Sequence, residues 1–327
     1  MIRMPLKHFG VGAILLISAS IATAAASERG LPEAQKALAS GDYATSFAIY
    51  KRIAEKNKDP LAYFSLALHY QNGWGTLKDP KFACVNFEKA AAGGIPTAAH
   101  FHAECLARGV RQPADPAKAA IWYEKAANWG HLISYCSLAD LYMTGAGVPK
   151  DPGKGLLLCS QAAAINTSAQ IQMGRYYLEG DATIRSPKDA YQWFHMAAER
   201  NVAEAQYLLG MMERDGIGRP KSAANALPWF ESAAAQGYLP AYLPTAELYF
   251  SRPGDAQTGK PVAENLAKSY LWLSAVVRRS ANAGEKERAA NLLKEVLSVM
   301  PASWMPELDE KVDSHVKKFS PNTPAGR

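Results

Sequence analysis

The chain has 327 residues, of which 48% are hydrophobic and 20% charged, with a net charge of +6 at pH 7. Two of those charges, Arg3 and Lys7, sit in an N-terminal leader, and the rest are too few and too evenly spread to argue for nucleic acid or an anionic membrane. Length alone would allow two domains, but internal repetition removes that inference, because a repeat array grows without splitting into separate cores.

Residues 1–26 read as a signal peptide. Arg3, Lys7 and His8 precede an apolar run from Phe9 to Ile21, and Ala22-Thr23-Ala24-Ala25-Ala26 offers an Ala-x-Ala site ending at Ala24 or Ala26. The mature chain is expected to begin near Ser27. The run is short of the ~20 apolar residues that a spanning helix needs, which favours cleavage over an uncleaved anchor. No cysteine follows it to carry a lipid, and no later stretch suggests membrane insertion of the mature chain. A periplasmic or secreted location follows. Residues 27–59 then hold a helical pair joined at Gly41-Asp42, a divergent half-repeat or cap.

Between residues 60 and 284 a helical-hairpin unit of about 36 residues recurs six times. Each first helix carries a stripe at i, i+4 and i+8: Ala62/Leu66/Tyr70, Ala98/His102/Leu106, Ser134/Leu138/Tyr142, Ala169/Met173/Tyr177, Ala205/Leu209/Glu213 and Ala241/Thr245/Tyr249. A glycine ends five of these helices, at Gly73, Gly109, Gly145, Gly180 and Gly216. Helix N-caps are expected six residues beyond each, at Asp79, Asp115, Asp151, Ser186 and Ser222, and at Asn265 in the sixth unit. In the first four units proline follows at once, where a missing N–H costs nothing.

The second helices share a column of Trp122, Trp193, Trp229 and Trp272 and an Ala-Ala pair, as at Ala90-Ala91 and Ala126-Ala127. They are expected to stop at Gly94, Gly130, Asn166, Asn201 and Gly237, residue types that accept a left-handed cap. Residues 285–319 read as two capping helices, one with Ala290, Leu293, Val296, Leu297 and Met300, the other with Leu308, Val312, Val316 and Phe319. Residues 320–327 read as a disordered tail.

Tyr142-Met143-Thr144-Gly145-Ala146-Gly147-Val148-Pro149-Lys150-Asp151 and Lys118-Ala119-Ala120-Ile121-Trp122-Tyr123-Glu124-Lys125-Ala126-Ala127 resemble the Sel1-like repeat (SLR) family, relatives of the tetratricopeptide (TPR) repeats. The resemblance covers about two thirds of the chain. It implies an all-α, right-handed superhelical solenoid of helix-turn-helix repeats whose first helices line a groove. Units 4 to 6 depart most from the pattern, and the sixth has a Gly- and Pro-rich insertion around Ser251–Pro261.

Repeat arrays bind along a surface, so the expected function is a non-catalytic scaffold for protein–protein interaction in the cell envelope. Positions beside the buried stripe that vary between units mark a partner-binding groove centred on Phe101, Glu104, Arg108, Asp140, Arg175 and Glu179. The partners expected are envelope or membrane proteins, which the scaffold would regulate in signalling or assist in secretion. Four cysteines in an exported chain suggest bridges. Cys84 and Cys105 flank one helical turn, Cys136 and Cys159 another, each pair level on antiparallel helices; four buried thiols are the alternative.

No cofactor is called for, and no Cys-x-x-Cys or close Cys/His spacing suggests a metal. His100 and His102 point in different directions around a helix; His100 could pair with Glu104 in a common surface arrangement, and His102 occupies a buried column. The family resemblance also raises an alternative, because some cysteine-rich secreted members are described as penicillin-binding or β-lactamase-like. The only Ser-x-x-Lys of the mature chain, Ser314–Lys317, lies near the C-terminus without the companion motifs.

Overall fold

The computed structural model describes residues 30–257 and 259–320. The leader, the expected mature start at Ser27 and residues 321–327 lie outside the described residues. Among those described there are sixteen α-helices, two short 3-10 turns and no strand. None of these helices is long and apolar enough to cross a membrane. The described residues form two compact units, divided between Ala162 and Ala163.

The first unit contains α1 (Leu31–Ala39), α2 (Tyr43–Asn57), α3 (Pro60–Asn72), α4 (Pro80–Ala92), α5 (Pro96–Arg108), α6 (Pro116–Asn128) and α7 (Ser134–Thr144). α8 (Pro152–Ala163) closes it. The helix starts are chemical. Asp59 accepts from the Ala62 N–H, Asp79 from those of Lys81 and Phe82, Asp115 from Lys118 and Asp151 from Lys154, all at 2.9–3.0 Å. Each cap satisfies a donor that the first helical turn leaves without a partner. The first helices stop at Gly73, Gly109 and Gly145, with φ of 76°, 66° and 76°. Gly147, two residues further on, lets the turn press against the preceding repeat: a Cβ there would lie 2.3 Å from the Ala117 nitrogen. The alanine pairs are buried, Ala90, Ala91 and Ala126 completely, so the helix backbones approach closely.

The second unit contains α9 (Thr167–Glu179), α10 (Pro187–Glu199), α11 (Ala203–Asp215), α12 (Ala223–Ala235), α13 (Tyr242–Phe250), α14 (Ala263–Arg279), α15 (Ala283–Val299) and α16 (Met305–Lys318). Ser186 and Ser222 cap α10 and α12 through the N–H groups of Asp189 and Asn225. Trp272, Leu273, Val296, Leu308 and Val312 share one core, so α16 packs onto the last hairpin as its cover.

Two expected punctuation marks behave differently. Asn166 is not a left-handed stop: its φ is −107° and its side chain caps α9 through the Ala169 N–H at 2.9 Å. Asn166 is the last residue before α9, and its side chain serves as that helix's start. Gly180 does end α9 as expected, in an extended rather than a left-handed conformation, with φ −70° and ψ −178°; the Arg185 guanidinium caps its carbonyl at 3.0 and 3.2 Å. Asn265 lies inside the first turn of α14, because the chain enters the helix three residues earlier, after Val262. The sixth hairpin also opens differently, with a 3-10 turn at Leu239–Ala241 before the nine-residue α13.

Candidate functional site

α5 carries three of the expected groove residues. Ala98, Ala99 and Ala103 bury its inner face completely, and Gly109 ends it in the left-handed conformation. This fixes Phe101, Glu104 and Arg108 on an adjacent stripe at i, i+3 and i+7. Phe101 is half-buried and stacks on the buried Phe87 of α4, with ring centroids 4.8 Å apart and planes at 27°. Together these side chains line a cavity of about 320 Å³, whose wall includes Gln71 of α3, Lys78 and both Cys84 and Cys105. Lys78 and Arg108 are exposed and have no ion-pair or hydrogen-bond partner among the described residues.

Glu104 has a neighbour on its inner side. Its carboxylate lies 3.6 Å from His100 Nε2, while His100 Nδ1 meets the buried Ser134 Oγ at 3.0 Å. Ser134 Oγ also meets His131 Nδ1 at 2.8 Å, so one hydroxyl lies between two imidazoles. Burial pushes the His131 pKa below its ordinary value; the His100 ring adds to that and Glu104 opposes it. His100 is itself only 8% exposed, not on a solvated surface as its spacing suggested. The missed signal was its column: two residues after the small residue, other units place Phe64, Cys136, Ile171, Tyr207 and Leu243. His102 is buried as expected, edge-on to Trp122 at 5.0 Å, and burial lowers its pKa.

Asp140 is exposed on α7, apart from the cavity wall. It still acts on the same neighbourhood. The buried Tyr123 phenol is held far above its usual pKa by burial first, then by the Glu104 and Asp140 charges. In the second unit Arg175 and Glu179 are one turn apart and exposed on α9. Arg175 Nη2 is bound to Glu204 Oε1 of α11 at 2.5 Å, a contact between successive repeats. The structure thus gathers Phe101, Glu104 and Arg108 around one cavity and gives Arg175 a packing partner. Lys78 was missed by the sequence reading. Its signal is that the residue before the cap is basic in most units, as at Lys150, Arg185 and Lys221.

All four cysteines are paired. Cys84 bridges to Cys105 across two repeats, with Cα atoms 5.9 Å apart, and Cys136 to Cys159 within one hairpin, at 4.2 Å. Such bridges point to an oxidising compartment. Among the described residues no group of three or more His, Cys, Asp or Glu could hold a metal ion. Ser314 is exposed on α16.

A family model described as the Sel1 repeat matches residues 60–95, 96–131, 133–166, 167–202 and 203–238. A solved structure described as a protective antigen of uropathogenic Escherichia coli strains displaying an SLR fold is 26% identical, with a TM-score of 0.61. The alignment covers 85% of this chain and 57% of that one. A Sel1 repeat protein from Oxalobacter formigenes, 24% identical, has a TM-score of 0.61 over 76% of this chain and 100% of its own, and shows the fold alone. Chitin synthase regulatory factor 3 of Schizosaccharomyces pombe is 35% identical over 72 residues, which are 21% of this chain and only 8% of that protein. Five matched units, each built as a capped hairpin with the buried alanine pair, establish that this chain belongs to the Sel1 repeat family.

Proposed function

We propose that the protein is a non-catalytic scaffold of the bacterial periplasm or secreted space, released from a signal peptide, which binds a protein partner along the face formed by its first helices. The observation that carries this reading is the cavity between α3 and α5, where Phe101 and Glu104 converge with two cations, Lys78 and Arg108, that have no ion-pair partner among the described residues. Asp140 in the first unit and Arg175 and Glu179 in the second hold the corresponding positions of their own repeats. The two disulfides support the location, since such bridges persist outside the cytoplasm. A fungal relative named as a regulatory factor of a synthase supports a regulatory use of the repeats, with an envelope or membrane protein as the partner.

The test is cross-linking and pull-down from the cell envelope with the mature chain and with a Glu104→Lys/Arg108→Glu/Arg175→Glu variant. Capture of the partner should be lost in the variant while helicity and both disulfides are retained. Equal capture by both proteins sinks the groove assignment. The identity of the captured protein separates regulation of one membrane kinase from scaffolding of several secretion or cell-wall proteins.

A further inference from the structure

The cavity between α3 and α5 has a size, a floor and a charge, and together these describe an occupant. About 320 Å³ is at the bottom of the range for small-molecule pockets, enough for one large side chain rather than a nucleotide or cofactor. Its floor is apolar: the Phe87–Phe101 stack, Ala83 and the Cys84–Cys105 bridge. A buried aromatic platform of this kind is what an anchor residue of a protein partner fills.

The rim is lopsided in charge. Lys78, on the turn before α4, and Arg108, at the end of α5, are exposed and have no ionic partner among the described residues. Glu104 is the only acidic residue of the wall, and its carboxylate is turned partly toward His100, 3.6 Å away. Two unneutralised cations beside an apolar slot suit an anion held next to a bulky side chain. A guanidinium fork and an ammonium can each donate to a carboxylate.

We propose, resting on the groove reading above, that this cavity is a docking site for an extended peptide segment of a partner protein that inserts one aromatic or large aliphatic side chain and pairs an adjacent aspartate or glutamate with Lys78 and Arg108. Gln71, on the facing wall, is placed to bond the peptide backbone. The Cys84–Cys105 bridge ties α4, which supplies part of the floor, to α5.

The test uses the oxidised mature chain as bait in a phage-displayed random-peptide selection, followed by anisotropy with a fluorescein-labelled copy of the most enriched peptide. The expected result is enrichment of sequences with a bulky apolar residue within two positions of an acid. Lys78→Glu/Arg108→Glu should weaken that peptide at least tenfold, with unchanged circular dichroism. Changing the peptide's acid to its amide should weaken binding similarly, and the double variant should then cause little further loss. Raising the salt should weaken the acidic peptide more than its amide.

Enrichment of basic or uncharged sequences, no enrichment, or an affinity indifferent to Lys78 and Arg108 would each overturn the proposal. If binding responds to Phe101→Leu and Glu104→Gln but not to the two cations, the groove reading stands and the acidic class falls. If it responds to none of the four, both fall.

Discussion

Glu104 Oε1 lies 3.6 Å from His100 Nε2, and through that imidazole the rim of the cavity is joined to a buried cluster in which Ser134 Oγ meets both His100 and His131. Ser134 is the small residue that opens α7, so the cluster sits where one repeat packs on the next. Glu104 therefore faces both the candidate binding surface and the interior of the repeat junction.

The buried and half-buried histidines make stability depend on pH. Burial lowers the pKa values of His69, His102, His131 and His315, the last to about 4. The unfolded chain, with ordinary imidazoles, takes up protons first as pH falls below about 6.5. Stability from these groups is therefore complete above that value and is lost progressively as pH falls toward the depressed values. Urea midpoints at pH 7.5, 6.5 and 5.5 should decline in that order. Glu104→Gln should steepen the decline, since the Glu104 charge opposes the depression at His131. A midpoint that rises with acidity would contradict the buried, neutral assignment.

The two disulfides should differ in lability. Cys136 and Cys159 are buried at 4% and 0% exposure, whereas Cys105 is half-buried and lines two surface cavities. Thiol–disulfide exchange needs access to a sulfur, so a mild reductant should open Cys84–Cys105 first. Alkylation and peptide mapping at increasing reductant concentration would read the order. The bridges join residues 21 and 23 apart, and chain entropy puts the loss of either near 3 kcal/mol. Opening of the buried bridge first would mean that local unfolding, not exposure, governs access.

What was legible in the sequence was what local chemistry decides. The Asp79, Asp115, Asp151, Ser186 and Ser222 caps and the alanine columns act within one helix or one pair, and the structure has them as expected. Asn166 and Asn265 were misread because their conformations depend on how the chain must close to the next helix, and the residue type alone permits more than one answer. His100 was misplaced because its histidine identity outweighed its apolar column. Lys78 was overlooked because it belongs to a turn, while the groove was sought on helices.

Gly174 and Gly210 should resist replacement by alanine. In an exposed helix interior Gly→Ala stabilises by about 1 kcal/mol. Here a Cβ at Gly174 would stand 2.4 Å from the Phe194 ring, and one at Gly210 would stand 2.6 Å from Phe230. Both rings are fully buried, so neither can swing into solvent. Overpacking costs typically 1–3 kcal/mol, which exceeds the propensity gain. Gly174→Ala and Gly210→Ala should therefore lower the urea midpoint, and pairing each with Phe194→Leu or Phe230→Leu should recover part of the loss. A single variant more stable than the parent would show that the rings have room to move.

Arg279 holds the C-terminal helix to the last hairpin. Its guanidinium donates to the Gly237 carbonyl at 3.2 Å and the Phe319 carbonyl at 3.0 Å, and also bonds the Tyr242 hydroxyl, which is 2.7 Å from His315 Nε2. Three acceptors on three segments suit a planar fork and cannot all be reached by an ammonium. Arg279→Ala should cost on the order of 2–3 kcal/mol, since each charged hydrogen bond contributes about 1.5–3 and solvent replaces some of them. Arg279→Lys should fall between the variant and the parent. Amide exchange should quicken first in α16. A second readout separates this from a general loss of packing. The Arg279 charge helps depress the His315 pKa, after burial and ahead of Lys318, so in Arg279→Ala the His315 ring should titrate at a higher pH by NMR. An unchanged titration with α16 still docked would mean that Arg279 does not lie against the Tyr242–His315 pair in solution.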